Sequence, residues 1–278
     1  MKKCISISLF GYNNEHKDCV SFETFFKFLS INLRAYYFVY SDWKLVLHCD
    51  SITYNAYKNY LDDVSKIIDI DIKIYEPNQL CRSMLWRLNP INEYDYTICR
   101  DIDSLPTFRE KLCVEQWISD NTNAHSINDS ISHTIPLMGG MVGFKRNAFP
   151  VEILNTNYDF SQKGSDQTFM NDYITPYLSS YYTQHRFLGF PVDANNPFSR
   201  NNIDISHIYS DEYKLRADKL CNHIGQSGFH LEKTYNNLTD KHYEGAIPFY
   251  LQVIENRIPF SKELLEIEKQ YEFFYWAK

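Results

Sequence analysis

With 278 residues, 44% of them hydrophobic and 23% charged, the chain can bury a substantial core as one large α/β domain or two small ones. A net charge of −7 and a pI near 5.7 argue against a nucleic-acid partner, which would need a basic face. The seven cysteines are odd in number, scattered and without a Cys-x-x-Cys pair, so zinc sites and a disulfide framework lack support and reduced thiols in the cytoplasm are expected.

In chain order, residues 4–10 (CISISLF) read as a first strand, followed at once by Gly11-Tyr12-Asn13-Asn14. A glycine there lets backbone approach a ligand closely and Tyr12 can stack on a base, although a plain turn explains the same residues. Residues 22–40 carry aromatics at helical spacing and predict a buried or half-buried helix. Residues 43–49 (WKLVLHC) form a second strand ending at Asp50, residues 52–68 an amphipathic helix, and residues 71–75 (DIKIY) a third strand. Alternating strands and helices predict a parallel sheet with crossover helices. Residues 80–88 (LCRSMLWRL) form a helix stopped by Asn89-Pro90, with Arg82 and Trp86 on one face and Arg87 one position round. An arginine at this place can grip a phosphate bidentately, or it can simply be solvated beside a core tryptophan.

Residues 96–99 (YTIC) are a short buried strand running into Arg100-Asp101-Ile102-Asp103-Ser104. In extended geometry Asp101 and Asp103 point the same way and Ile102 the other. Two neighbouring carboxylates favour a hard divalent cation such as Mg²⁺ or Mn²⁺, the alternative being a solvated turn. A helix follows over 109–119, with Leu112, Val114 and Trp117 facing the core. Residues 126–132 are polar and loop-like. Gly139-Gly140 then opens a strand, MVGF, whose bare backbone suits a close-lying ligand or a β-bulge. Lys163-Gly164-Ser165-Asp166-Gln167 leads into a helix that Ser165 or Asp166 would cap. A strand is expected over 185–192 and a polar loop over 195–202. His223, ahead of Gly225-Gln226-Ser227-Gly228, has the character of a metal ligand beside a phosphate-accommodating loop, or of a structural histidine. Residues 261–278 form a last helix with an aromatic end. No run approaches the length of a membrane span.

Taken in order, RDIDS, MGGMVGF, GSDQTF and HIGQSG resemble metal-dependent glycosyltransferases of the GT-A fold, which use nucleotide-sugar donors. The pair SMLWRLNP and RDIDS is similar to enzymes of bacterial and large-virus glycan assembly. The resemblance spans about residues 4–228. It implies an α/β, GT-A (Rossmann-like) single domain with a central, mostly parallel mixed sheet flanked by helices. Residues 1–110 would be the nucleotide-binding half, 111–230 the donor-sugar and acceptor half, and 231–278 a helical extension.

By the same resemblance Phe10, Gly11, Tyr12 and Asn13 line the nucleoside pocket, and Asp101 with Ile102 contacts the ribose or the metal. Asp103 and His223, with Asp101, hold Mn²⁺ or Mg²⁺. Gly225 and Gln226 touch the diphosphate, Arg82 or Arg87 meets the diphosphate or sugar with Trp86 beside them in the donor site, and Gly139-Gly140 underlies the sugar or acceptor. Asp166 and Gln167 face the reacting centre. The Lys-Pro pair that follows the late glycine in a comparable retaining family is replaced here by Ser227-Gly228-Phe229, which leaves phosphate charge to Arg82, Arg87 or another cation. The implied reaction is sugar transfer from a nucleoside-diphosphate donor, UDP favoured, to a glycan or other hydroxyl acceptor, with retention favoured over inversion. A non-catalytic nucleotide- or carbohydrate-binding module and a haloacid-dehalogenase-type phosphatase are the alternatives. The phosphatase motif wants Thr or Val where Leu105 stands.

Overall fold

A computed structural model describes residues 1–12, 29, 32–37, 39–104, 106, 108–130, 133–178, 182–186, 201–205, 266, 267 and 270. Its strands are β1 (Lys3–Leu9), β2 (Lys44–Asp50), β3 (Ile70–Tyr75), β4 (Tyr96–Arg100), β5 (Ala124–Asn128), β6 (Met141–Lys145), β7 (Tyr182–Arg186) and β8 (Asn201–Asp204). They form one sheet in the order β3-β2-β1-β4-β6-β5-β7-β8. Every pairing is parallel except those of β6, which runs against both β4 and β5. This is the mostly parallel mixed sheet with flanking helices that the sequence predicts.

Strands β1 and β2 are buried along almost their whole length, as expected of near-continuous apolar runs covered on both faces. Their polar exceptions are satisfied locally. Ser6 Oγ lies 2.9 Å from His48 Nε2, and His48 Nδ1 lies 2.9 Å from the Tyr75 hydroxyl. Helix α1 (Ser51–Val64) begins at Asp50, whose carboxylate accepts the Thr53 N–H at 2.7 Å as an N-cap.

Alternation along β4 sorts two hydrophobic clusters. Tyr96 and Ile98 pack with Ile5, Ile7, Val114 and Trp117 on one face. Cys99 packs with Leu85, Leu88, Val142, Phe144 and Phe169 on the other. Arg100 continues the first face, where its Nε donates to Glu110 at 2.7 Å and its Nη1 to the carbonyls of Cys99 and Val142 at 2.7 and 2.9 Å.

Several expectations need correction. Helix α2 (Leu80–Ser83) passes into a 3₁₀ stretch over Met84–Asn92 that runs through Asn89-Pro90 instead of stopping there. At three residues per turn, positions four apart no longer share a face, so Arg82 and Trp86 diverge. Arg82 Nη1 donates to Thr156 O at 2.7 Å, and its guanidinium lies 5.7 Å over the Phe160 ring. In helix α3 (Phe108–Asp120), Val114 and Trp117 are fully buried as predicted, but Leu112 is 54% exposed. At 100° per residue Leu112 stands well over 100° from both, on the outer face.

The polar stretch expected to loop from Ser126 instead begins as the last three residues of β5, a strand whose His125, Ser126 and Asn128 are buried. Alternation is lost there because both faces of the strand are covered. Strand β7 begins before the predicted His185, and β8 starts within the predicted polar loop. Helix α4 (Ser165–Phe169) has Gly164 at its N-cap, at φ 80°, with no side-chain cap bond, so neither Ser165 nor Asp166 plays that part. It continues through a π-helical turn, Met170–Ile174, into helix α5 (Thr175–Leu178). Among the described residues no helix is long and apolar enough to cross a membrane.

Candidate functional site

The C-terminal edge of the parallel strands is where open α/β sheets place ligands. Arg87, in the 3₁₀ stretch, is held beneath this edge by the buried Leu85 and Leu88 on either side. Its backbone carbonyl accepts the Cys99 thiol at 3.3 Å. Only 2% of the Arg87 side chain is exposed. Its Nη1 donates to Asp101 Oδ1, and its Nη2 reaches Asp166 Oδ2 at 3.3 Å. One buried guanidinium therefore joins two carboxylates that stand 65 positions apart in the chain.

Gly139 and Gly140 close the arrangement. A Cβ at Gly139 would stand 2.7 Å from Arg87 Nη2 and 3.1 Å from Gln167 Cγ. A Cβ at Gly140 would overlap the Asp101 carboxylate. The bare backbone predicted for a ligand is thus required first by the site's own side chains. Arg87, Asp101, Gly139, Gly140, Asp166 and Gln167 form one cluster.

Two carboxylates facing one cation leave a local excess of negative charge. Burial pulls the Arg87 guanidinium down, but Asp101 and Asp166 more than offset this and its pKa is raised. For Asp166 burial dominates, Arg87 pulls the other way, Asp101 adds repulsion, and the carboxyl titrates above the ordinary aspartate range. Asp101 is different, with 35% of its side chain exposed. Of the two carboxylates it is the one that looks outward.

Strand β4 ends at Arg100, and Asp101–Ser104 is a turn in which Ser104 N–H donates to Asp101 O at 3.2 Å. The expectation that Asp101 and Asp103 project from one side of an extended strand is therefore corrected to two carboxylates on a turn. Oxygen-only donors on a tight turn, one of them outward-looking, fit a hard divalent cation. Among the described residues no group of three or more His, Cys, Asp or Glu comes together around a metal. The expected third ligand, His223, lies outside the described residues, as do Asn13, Gly225 and Gln226.

At the predicted nucleoside end, Gly11 adopts φ 87°, which a side chain would strain. Its N–H is taken by Asp50 Oδ2 at 2.8 Å. Thr53 Oγ1 donates to the same carboxylate at 2.8 Å and accepts the Tyr12 N–H at 3.1 Å. Tyr12 packs edge-on against Tyr57, 5.5 Å between centroids. Phe10 meets Trp86 edge-on at 6.0 Å, and Trp86 stacks on Tyr75 at 4.7 Å with an 11° tilt. The Tyr75 hydroxyl is fixed by His48 and by Asn89 Nδ2 at 3.1 Å. Asp50 and Tyr75 shape this end and were not singled out from the sequence. Their signals were a carboxylate at a strand end just before a helix and a tyrosine at the end of β3. A separate cavity of about 560 Å³ opens where the strands begin, lined among others by Lys3, Tyr36, Tyr40, Trp43, Lys44 and Tyr94, and no member of the Arg87 cluster lines it.

No family model and no curated protein matches this chain. Among solved structures, a putative nucleotide-diphospho-sugar transferase from Desulfovibrio desulfuricans G20 is similar at 13% identity and TM-score 0.44, covering 85% of this chain and 96% of its own. A 4-diphosphocytidyl-2C-methyl-D-erythritol synthase from Anaerococcus prevotii is similar at 10% identity and TM-score 0.41, over 78% of this chain and 96% of that one. The mannosyltransferase PcManGT from Pyrobaculum calidifontis, solved with GDP-Man and Mn²⁺, gives 11% identity and TM-score 0.39, over 98% and 82%. These neighbours are of the nucleotide-sugar transferase and cytidylyltransferase kinds. With TM-scores below 0.5 they bear on no activity, and the functional reading rests on the chain's own residues.

Proposed function

We propose that the chain is a glycosyltransferase that moves a sugar from a nucleoside-diphosphate donor, UDP favoured, to a glycan or other hydroxyl acceptor. The observation that carries this reading is the buried Arg87 between Asp101 and Asp166, lying against Gly139 and Gly140. A carboxylate pair locked by a buried cation is a costly arrangement for mere stability, since apolar residues of similar volume often serve as well. Its place at the strand ends suits a ligand that brings both phosphate and sugar.

Asp101 and Asp103 would hold a divalent cation, Mn²⁺ or Mg²⁺, with His223, and when bound that ion offsets the charge gathering on the departing diphosphate. Arg87 fixes the stance of Asp101 and Asp166 at once, which lowers the reorganisation needed as charge moves. Asp166, with its side chain 7% exposed, faces the sugar as a poorly hydrated carboxylate. Such a group stabilises positive charge at an anomeric carbon more strongly than it would in water. Held by Arg87, it is fixed in place for that role, the one that transfer with retention requires. Gln167 stands beside it and would hydrogen-bond the sugar. Phe10, Tyr12 and Trp86 would wall the nucleoside, with Gly225, Gln226 and Asn13 completing the donor pocket. Trp86 would meet the base side and Arg87 the sugar side, while Arg82, bonded to Thr156 O, would contribute only by leaving that partner.

The test is donor turnover with the conservative variant Asp166→Asn. Transfer, and donor hydrolysis in the absence of acceptor, should fall at least about 100-fold, while nucleotide binding by calorimetry stays within a few-fold of wild type. Unchanged turnover in that variant would remove Asp166 from the chemistry.

A further inference from the structure

The turn bearing Asp101 and Asp103 is gripped from the face of the sheet opposite Arg87. Asn32, Tyr36 and Tyr40 follow one another at four-residue intervals along a helical stretch, and Tyr40 N–H donates to Tyr36 O at 2.8 Å. Residues so spaced share one helix face. All three are buried, in company with Leu29, Leu33 and Val39.

Each donates one hydrogen bond into the segment 102–110. Asn32 Nδ2 donates to Ile102 O, the carbonyl between the two aspartates. The Tyr36 hydroxyl donates to Ser104 O at 3.4 Å. The Tyr40 hydroxyl donates to Glu110 at 2.9 Å, and Glu110 accepts from Arg100, the last residue of β4, at 2.7 Å. A buried polar group costs stability unless it is bonded, so an apolar stripe would serve this helix better if burial were all that mattered. What the polar stripe adds is a fixed address for three successive points of the chain around the aspartates.

We propose that Asn32 and Tyr36 are positioning residues: through the carbonyls of Ile102 and Ser104 they set the stance of Asp101 and Asp103 for a divalent cation, with Tyr40 and Glu110 fixing the strand end behind them. The function assigned to the pair rests on the donor-site reading above. The mechanical part, that this helix face holds the turn, stands on the contacts alone.

The experiment compares wild type with Tyr36→Phe, which removes one hydroxyl at nearly constant volume, and Asn32→Ala. Leu33→Ala is the control, since Leu33 is buried on the same helix and has no bond to the turn. Two readouts are taken: amide hydrogen exchange of residues 102–104, and Mn²⁺ affinity from the resonance of free Mn²⁺ with UDP or GDP present at saturation. Tyr36→Phe and Asn32→Ala should speed exchange across the turn and weaken Mn²⁺ about fivefold, the weight of one hydrogen bond. Leu33→Ala should lower the melting temperature more than Tyr36→Phe does, yet leave Mn²⁺ affinity at the wild-type value.

Unchanged exchange in both variants, or equal acceleration in the control, overturns the proposal. Faster exchange with unchanged Mn²⁺ affinity overturns the link from turn to cation. If wild type binds no Mn²⁺ with either nucleotide, the donor-site reading fails, and the exchange comparison still decides whether the helix holds the turn.

Discussion

At the scale of single residues, Arg87 does what lysine cannot. Its planar fork reaches two carboxylates from a side chain 2% exposed, whereas an ammonium presents one compact charge. Arg87→Lys is expected to cut donor turnover by about 100-fold, the scale of losing one preorganised electrostatic contact. A steady-state assay would check this, with turnover within about threefold of wild type counting against the role. Gly140→Ala tests the same cluster from the backbone side. Its Cβ would take the space of the Asp101 carboxylate, so Asp101 must leave Arg87. Nucleotide-dependent Mn²⁺ binding should then fall sharply, while the melting temperature drops by only a few degrees, consistent with about 1–3 kcal/mol for a local clash. Wild-type Mn²⁺ affinity in that variant would show that the close approach does not matter.

Among elements, β5, β7 and β2 carry buried histidines whose burial makes stability depend on pH. His125 is buried, stacks on Trp117 at 4.4 Å and meets His185 edge-on at 5.7 Å. The nitrogens of both rings are buried without hydrogen-bond partners among the described residues. Burial depresses the pKa of His125 well below its ordinary value and takes His185 to about 4. His48, buried beside Tyr75, is held at about 3 by burial and by Lys73. Each is neutral in the folded protein and takes up a proton near pH 6.5 when unfolded, so protons favour the unfolded chain. Stability from these groups is intact above about pH 6.5 and is lost as pH falls toward their folded values.

Three such groups give a slope of roughly 4 kcal/mol per pH unit between about pH 4.5 and 5.5. Urea melts across that range are the check, and His185→Gln should flatten the slope by about a third. A slope unaffected by that substitution would mean that His185 is protonated in the fold. Gly143 belongs to the same element pair, because a Cβ there would stand 2.7 Å from His125 Nε2 and 2.8 Å from Trp117. Gly143→Ala should cost about 1–3 kcal/mol in the same melts.

For the whole molecule, the sheet was legible where its strands are apolar runs. Residues 4–10, 43–49, 71–75 and 96–99 each fall within a residue or two of an observed strand, because covered parallel strands are written in hydrophobic residues and the edge strand β3 alternates polar with apolar ones. The strand at 124–128 was not, since its buried Ser126 and Asn128 obtain hydrogen-bond partners, and His125 its stack on Trp117, only once the sheet exists. The clustering of Arg87, Asp101, Gly139, Gly140, Asp166 and Gln167 follows the order of motifs, which spacing along the chain can register.

What spacing could not register is tertiary. The 3₁₀ path of Met84–Asn92 sends Arg82 to Thr156 and Arg87 to the aspartates, and the turn at Asp101–Ser104 replaces extended geometry. Asn32 and Tyr36 looked like ordinary members of an aromatic helix because their partners lie about 70 residues away.

The central claim is that this cluster is the cation-dependent grip on a nucleotide sugar. Thermal shift across a panel of nucleotide sugars, with and without Mn²⁺, tests it most directly, because a ligand that binds only the folded state raises its melting temperature. At 100 times its dissociation constant a true donor adds about 2.7 kcal/mol. Wild type should show that rise for a restricted set of donors and only with Mn²⁺ present, and the double variant Asp101→Asn/Asp103→Asn should lose it. A rise that persists without the cation or in the double variant, or none with any nucleotide sugar, would contradict the account.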